Sequence, residues 1–371
     1  MPDRRAARGT PTFRAPGRVN LIGGQVDYHE GLVMTMALDR EVRVSAAPRH
    51  DGRVRARSRE LEGAVAVAAD GSDDPRAVTP PWGRLVAGVV RTLAEAGRAP
   101  VGADLDVSST VPVGAGLSSS AAFEVAIGLA LSELAGLSLP PRALMLAAQR
   151  AEHLATGVPC GVQDQMTSVF GRAGHALLID CRTLDVTPVA LPPGAGILVV
   201  HSGVDRVLEH TAYARRRAES LAVARRLGLQ VLRDAHLDQV RDEPRGRHAV
   251  TEIDRVRRFH AALAAGDLAD AGALMLASHR SSRDDMHVST PELDMLVDAL
   301  VAAGAYGARL TGAGFGGCVV ALVAAARAGE ISARATAEYR HRTQRQPAAW
   351  AVSAAAGAGP LMGSDRSEAE S

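Results

Sequence analysis

Three stretches carry residue types whose spacing can do chemistry. At 111–122 the chain reads VPVGAGLSSSAA: small residues Gly114, Ala115 and Gly116, then Leu117, then Ser118, Ser119 and Ser120 at what reads as a helix start. Glycine lets backbone approach a ligand closely, and a helix N-terminus offers unpaired N–H groups in a field that favours anions. Serine hydroxyls there can add phosphate contacts or a ligand to a divalent cation. The bland alternative is a tight strand-to-helix turn with more N-cap serines than it needs. At 310–318, LTGAGFGGC places Gly312, Gly314, Gly316 and Gly317 ahead of an apolar strand, and alone it also reads as a bulge or hairpin turn. Two such loops, one in each half, favour convergence on one phosphate-bearing ligand in a cleft. Third, AEHLATGVPCGVQDQ holds Glu152 near a helix end and Asp164 after a Gly/Pro loop. Metal-assisted phosphoryl transfer needs one carboxylate for the cation and another to orient or deprotonate the attacking hydroxyl. Taken singly, each would be a surface charge.

What the chain lacks narrows the field. Its 371 residues include 42 basic ones, and every one is Arg. Without Lys there is no Schiff base, no pyridoxal enzyme, no Walker A lysine and no protein-kinase lysine. With 41 acidic residues the net charge is +1, so no nucleic-acid partner is indicated. Cys160, Cys181 and Cys318 lie far apart, form no CxxC and have no zinc spacing. The N-terminal charges precede no apolar run of signal length, and no stretch approaches a membrane span. A soluble, cytoplasmic protein without a membrane partner is the expectation.

The elements that must position these residues alternate between strand and helix. Residues 31–47 read as strand, charged turn at Asp39-Arg40-Glu41, and strand; 103–108 alternates like a strand. Helical spacing spans 82–96, and a helix from about Ser119 to Ala135 has Ser as its natural N-cap. Pro141 opens the next helix and Gly157 stops it. HALLIDC (175–181) and ILVVH (197–201) read as buried strands around the Pro192-Pro193-Gly194 turn, which sets a domain boundary near 195. Beyond it come a polar helix, 212–227, and helices near 250–265, 267–278 and 291–303. The pattern is α/β or α+β rather than a bundle or sandwich. Residues 1–12 and 357–371 read as disordered ends, leaving 13–195 and 196–356 as the two domains.

APGRVNLIGGQVDYHEG, VPVGAGLSSSAAFE, AEHLATGVPCGVQDQ, HALLIDCRTL and LTGAGFGGC, in this order, resemble the galactokinases of the galactokinase, homoserine, mevalonate and phosphomevalonate kinase superfamily. YARRRAES (213–220), RHAVTE (247–252) and SHRSSRDDMHVSTPELD (278–294) extend the likeness over about residues 13–325. The resemblance implies an α+β fold, with an N-terminal domain like the second domain of ribosomal protein S5 and a ferredoxin-like C-terminal domain. It implies an ATP-dependent sugar 1-kinase acting as a monomer on small molecules, with the site in the cleft between the domains. Gly114, Ala115, Gly116, Leu117, Ser118, Ser119 and Ser120 would wrap the ATP phosphates, with Ser120 and Glu152 on Mg²⁺. Trp82 matches the residue that packs on adenine, and Gly312, Gly314 and Gly316 would close the cleft. Asp164 would orient the anomeric hydroxyl and Arg18 stabilise charge, while Asp27, Gly161 and Tyr213 match sugar contacts.

One motif departs from the family. Galactokinases read G-E-H-T-D-Y where this chain has Gly23-Gly24-Gln25-Val26-Asp27-Tyr28, so the sugar-contacting Glu and His become Gly24 and Gln25. That form looks like the stretch in plant L-arabinokinases. D-Galactose is the leading substrate, and L-arabinose or galacturonate the alternative. A non-catalytic sensor on this fold is remote, because sensors carry a deletion in the serine-rich loop whereas Ser120-Ala121 are present.

Overall fold

The computed structural model describes residues 10–361 apart from Val113 and 205–208. In chain order it forms β1 (Thr12–Ile22), β2 (Leu32–Arg49), β3 (Arg53–Ser58), β4 (Ala64–Ala68), α1 (Gly83–Glu95), β5 (Gly102–Ser109), α2 (Ser119–Leu134), α3 (Pro141–Thr156), α4 (Gln163–Phe170), β6 (His175–Asp180) and β7 (Asp185–Ala190). The second half adds β8 (Ala195–His201), α5 (Glu209–Arg226), α6 (Leu237–Val240), α7 (Pro244–Ala265), α8 (Leu268–Asp284), α9 (Pro291–Ala303), β9 (Gly307–Leu310), β10 (Cys318–Ala324), α10 (Ala328–Thr343), β11 (Ala348–Val352) and β12 (Gly359–Pro360). Among the described residues, no helix is long and apolar enough to cross a membrane.

The first half is one mixed sheet, ordered β12-β1-β2-β5-β3-β4, with the β6–β7 hairpin also joined to β2. Strand β5 shows the alternation the sequence predicts: Ala103, Leu105 and Val107 are buried, while Asp104 and Asp106 face out. Helix α2 is apolar nearly all round and is buried on most of its faces, as such a helix must be. Pro141 at the first turn of α3 and left-handed Gly157 at its end bound that helix as expected.

The second half is a four-stranded antiparallel sheet ordered β11-β8-β10-β9. Taking β8 as its first strand, the spatial order is fourth, first, third, second: the ferredoxin-like split βαβ arrangement. Leu198, Val200, Leu310 and Val319 on one face pack against α9 and α10. Phe259, Leu274 and Met275 from α7 and α8 join the core that contains Ile197, Val199 and Val320 of the other face.

Three expectations fail here. No turn interrupts β2 at Asp39-Arg40-Glu41; the strand runs on, with Glu41 taken up by Arg14 at 3.2 Å and Arg43 at 2.7 Å. Ser118 does not cap α2 through its side chain, which is turned elsewhere. The chain is not a tail from 357: Gly357 N–H donates to Gly171 O at 2.7 Å, and Gly359-Pro360 pair with Phe13 and Arg14 of β1. The rest of both expected disordered ends, 1–9 and 362–371, lies outside the described residues.

Candidate active site

Strand β1 organises the site. Its register against β2 shifts between Pro16 and Arg18 and again between Asn20 and Ile22, irregularities that re-aim the strand's groups. Along its outer edge Arg18 N–H donates to Leu117 O at 3.0 Å, and Asn20 N–H to Thr311 Oγ1 at 3.0 Å. Both glycine-rich loops are therefore hung on one strand.

The Arg18 guanidinium is buried and grips Asp164 with two parallel bonds, Nε to Oδ1 at 2.7 Å and Nη2 to Oδ2 at 2.6 Å. Its Nη1 donates to Gly116 O at 2.8 Å. The Ser118 hydroxyl also donates to Asp164 Oδ2, which explains why it leaves the helix cap. Bidentate pairing of this kind sets both planes at once. Asp164, in the first turn of α4, keeps a side-chain exposure of 27% toward the cleft. With roughly four acceptor positions and three donors, it retains room for one substrate hydroxyl.

Arg18, Gln25, Asp27, Gly114, Gly116, Ser118, Ser119, Ser120, Glu152, Gly161, Asp164, Tyr213 and Gly312 line one polar cleft of about 220 Å³. On one wall, Asp27 is nearly buried; loss of hydration, with the nearby Asp164 charge, pushes its carboxyl up to about 6. A Cβ at Gly161 would lie 1.9 Å from Asp27 Oδ2, so only glycine lets the two meet. Tyr213 stands edge-on to Tyr28, ring centroids 6.1 Å apart, and burial with the Asp27 charge raises its hydroxyl. Gln25 donates through Nε2 to Ala313 O at 3.1 Å in the second glycine loop and accepts from Tyr28 Oη.

Within the same cleft the N-terminus of α2 presents Ser119 and Ser120. Ser120 Oγ donates to Glu152 Oε1 at 2.9 Å, and burial with the Asp164 charge raises Glu152. Among the described residues no three His, Cys, Asp or Glu side chains cluster for a metal. Two hard oxygens, Ser120 and Glu152, are what the protein offers, a partial shell that suits a small cation already held by phosphate. Ser119 and Ser120 also border a second, apolar cavity of about 200 Å³, lined by Val42, Leu61, Trp82, Leu85, Val107 and Phe123. Trp82 is fixed there by Nε1 to Glu62 O at 2.9 Å and an edge-on contact with Phe123. Ser119 and Ser120 thus border both the apolar cavity and the polar cleft.

Five of the expected site residues lie outside these walls. Ala115 and Leu117 are core residues beneath the first loop. Gly314 and Gly316 are buried within the second loop; at Gly314, with φ +88°, a Cβ would meet Val288 O at 2.3 Å. Gly24 faces away from the cleft: a Cβ there would lie 2.5 Å from the Arg309 guanidinium. Side-chain space at position 24 is thus taken by Arg309, which donates to Asn20 Oδ1 at 2.6 Å and Ser278 Oγ at 3.0 Å.

The sequence reading missed the buried groups that hold the walls. Glu252 accepts from the N–H groups of Gly23 at 2.9 Å and Gly24 at 3.2 Å, and His248 Nε2 bonds Gly24 O at 2.9 Å. Glu124 and Gln165 lie behind Glu152. A single charge inside the apolar run of α2 was the available signal for Glu124.

Comparison with known proteins agrees with this geometry. The GHMP kinases N terminal domain family matches residues 84–172, the GHMP kinases C terminal family 259–341, and the galactokinase galactose-binding signature 6–48. A galactokinase of Roseiflexus sp. (strain RS-1) is 42% identical over 95% of this chain and 93% of its own. The Homo sapiens galactokinase is 41% identical over 85% of this chain and 84% of its own. Among solved structures, Lactococcus lactis galactokinase complexed with galactose superposes with a TM-score of 0.90 at 30% identity, covering 95% of this chain and 96% of that one. The chain thus belongs to the galactokinase family of GHMP kinases and is a phosphotransferase.

Proposed function

We propose that this protein transfers the γ-phosphoryl group of ATP to the anomeric hydroxyl of D-galactose. The observation that carries the reading is the Arg18–Asp164 pair, which lines one cleft together with the α2 N-terminus and with Asp27, Gly161 and Tyr213. The adenine occupies the apolar cavity beside Trp82, and the phosphates run along Gly114, Gly116 and Ser118 to Ser120, where N–H groups and the helix field replace a lysine. Ser120 and Glu152 would hold Mg²⁺, which when bound would neutralise charge on the phosphates. Asp164 accepts the sugar hydroxyl and aims it in line, while Arg18 steadies the carboxylate and the charge that develops beside it. Asp27 and Tyr213 read the ring hydroxyls, and Gln25 offers a neutral amide on the same wall.

The test is ADP release measured with galactose, L-arabinose, galacturonate, fucose and glucose, with and without EDTA. Galactose should clearly beat glucose in kcat/KM, and EDTA should abolish the activity. Glucose used as well as galactose would sink the reading of Asp27 and Tyr213. The wall beside Asp27 carries the neutral Gln25 rather than a carboxylate, which favours a second reading, a pentose or 6-deoxy substrate of the same configuration. L-Arabinose should accordingly come within about two orders of magnitude of galactose, because one charge-assisted hydrogen bond is worth roughly 1.5–3 kcal/mol.

Two further expectations follow from the sugar wall. Gly161→Ala should weaken galactose binding roughly ten- to a hundredfold, the ~1–3 kcal/mol of an overpacked contact, and leave ADP affinity unchanged in calorimetry. The acidity of Asp27 predicts the second. Accepting hydroxyl bonds from the sugar is best done ionised, so galactose affinity should hold above about 6 and decline as pH falls through it. The effect on folding has the opposite sign: a carboxyl raised in the folded state favours the fold in acid, and that contribution is lost as pH rises through about 6. Asp27→Asn should flatten the binding profile between pH 5 and pH 8; a step that survives the substitution belongs to another group.

A further inference from the structure

Gln165 follows Asp164 on α4 and is fully buried. Its carboxamide nitrogen donates to Glu152 Oε2 at 2.7 Å and to Glu124 Oε2 at 3.1 Å. One side chain therefore joins the carboxylate at the cleft wall to a second carboxylate inside α2. The other oxygen of Glu152 takes the Ser120 hydroxyl at 2.9 Å, and Cys160 Sγ is a weak third donor at 3.4 Å. Gln165 Oε1 and Glu124 Oε1 are both buried with no hydrogen-bond partner. Native folds satisfy nearly all buried polar atoms, so an orphaned pair directly behind a functional carboxylate asks for a reason. Residues behind a metal ligand commonly fix its orientation.

We propose that Gln165 is the positioning residue for the metal-binding carboxylate of Glu152. It fixes Glu152 against Ser120 from the helix turn that also carries Asp164, so the phosphate end and the sugar end of the reaction are set by one rigid element. Glu124 is the anchor: it lies on α2, the helix whose first turn contains Ser120, and holds the second N–H of the amide. Without the amide, Glu152 would face Glu124 with no donor between them. The inference rests on the reading of Ser120 and Glu152 as Mg²⁺ ligands.

The test is ADP affinity of the intact protein by calorimetry, in Mg²⁺ and in EDTA, with galactose affinity measured alongside. Wild type should bind ADP more tightly with Mg²⁺. Gln165→Met keeps the length but donates nothing, and should reduce that Mg²⁺-dependent gain about tenfold. ADP affinity in EDTA and galactose affinity should stay within about twofold. Glu152→Gln separates the two ideas. A gain that survives Glu152→Gln defeats the metal reading and the proposal with it. A gain lost in Glu152→Gln but intact in Gln165→Met leaves the metal reading standing and overturns the role of Gln165. Equal loss of ADP affinity with and without Mg²⁺, or a parallel loss of galactose affinity, would make Gln165 a structural residue only and also overturn it. If Gln165→Met fails to fold, Gln165→Asn, too short to span both carboxylates, is read in the same way.

Discussion

Asp164→Asn is expected to leave ADP binding unchanged and to lower turnover on galactose roughly 10²–10⁴-fold, the range for a positioned acid–base group. The substitution does two things at once. It removes the charged acceptor proposed to hold the sugar hydroxyl, and it turns an amide N–H toward one of the two Arg18 donors that now grip the carboxylate. A donor against a donor breaks the bidentate fork, so Arg18 loses its aim as well. Turnover at saturating galactose and ADP affinity by calorimetry decide it; near-native turnover would remove Asp164 from the reaction.

Arg18→Ala should cost about 10²–10³-fold in turnover, the ~2.7–4 kcal/mol of a lost charge-stabilising donor. Arg18 also holds Gly116 O and sets Asp164, so the loss falls on the first glycine loop and on Asp164 together. The two substitutions share one ion pair, and combined effects at such neighbours are not additive. Arg18→Ala with Asp164→Asn should therefore be scarcely worse than the more damaging single change. A product of the two separate losses would mean that the residues act on different steps, against the geometry of a single fork.

Local chemistry explains which parts of this fold were legible in the sequence. Pro141 and Gly157 bound α3 as expected, and the alternation at 103–108 marks β5, because these signals act within a few residues. The long strand β2 misled for the same reason: a charged triplet resembles a turn unless its partners are known, and those partners, Arg14 on β1 and Thr110 just past β5, come from elsewhere in the chain. β7, with a proline in a short run, and the 359–360 strand carry too little pattern to be read alone. The site divides similarly. Groups clustered in motifs were found, and the cleft brings together Arg18, Asp27, Ser120, Glu152, Asp164 and Tyr213. The supports were not, since Asn20 meets Arg309 and Gly23 meets Glu252 only after folding. Gly24 was misassigned to the cleft because spacing alone cannot reveal that Arg309 fills its side-chain space.

The outer edge of β1 is closed by three pieces distant in the chain: Leu117, Thr311 and the 359–361 segment, where Leu361 N–H donates to Thr12 O at 2.8 Å. Until those pieces arrive, β1 offers unpaired N–H and C=O groups beside a strongly apolar sheet, the condition that invites strand addition between molecules. During synthesis that edge is not fully closed until nearly all the described chain is made, and a fragment ending near 195 has Leu117 but lacks Thr311 and the 359–361 segment. A newly made chain therefore depends on its own distal loops as a guard against self-association, well before those loops have any ligand to bind.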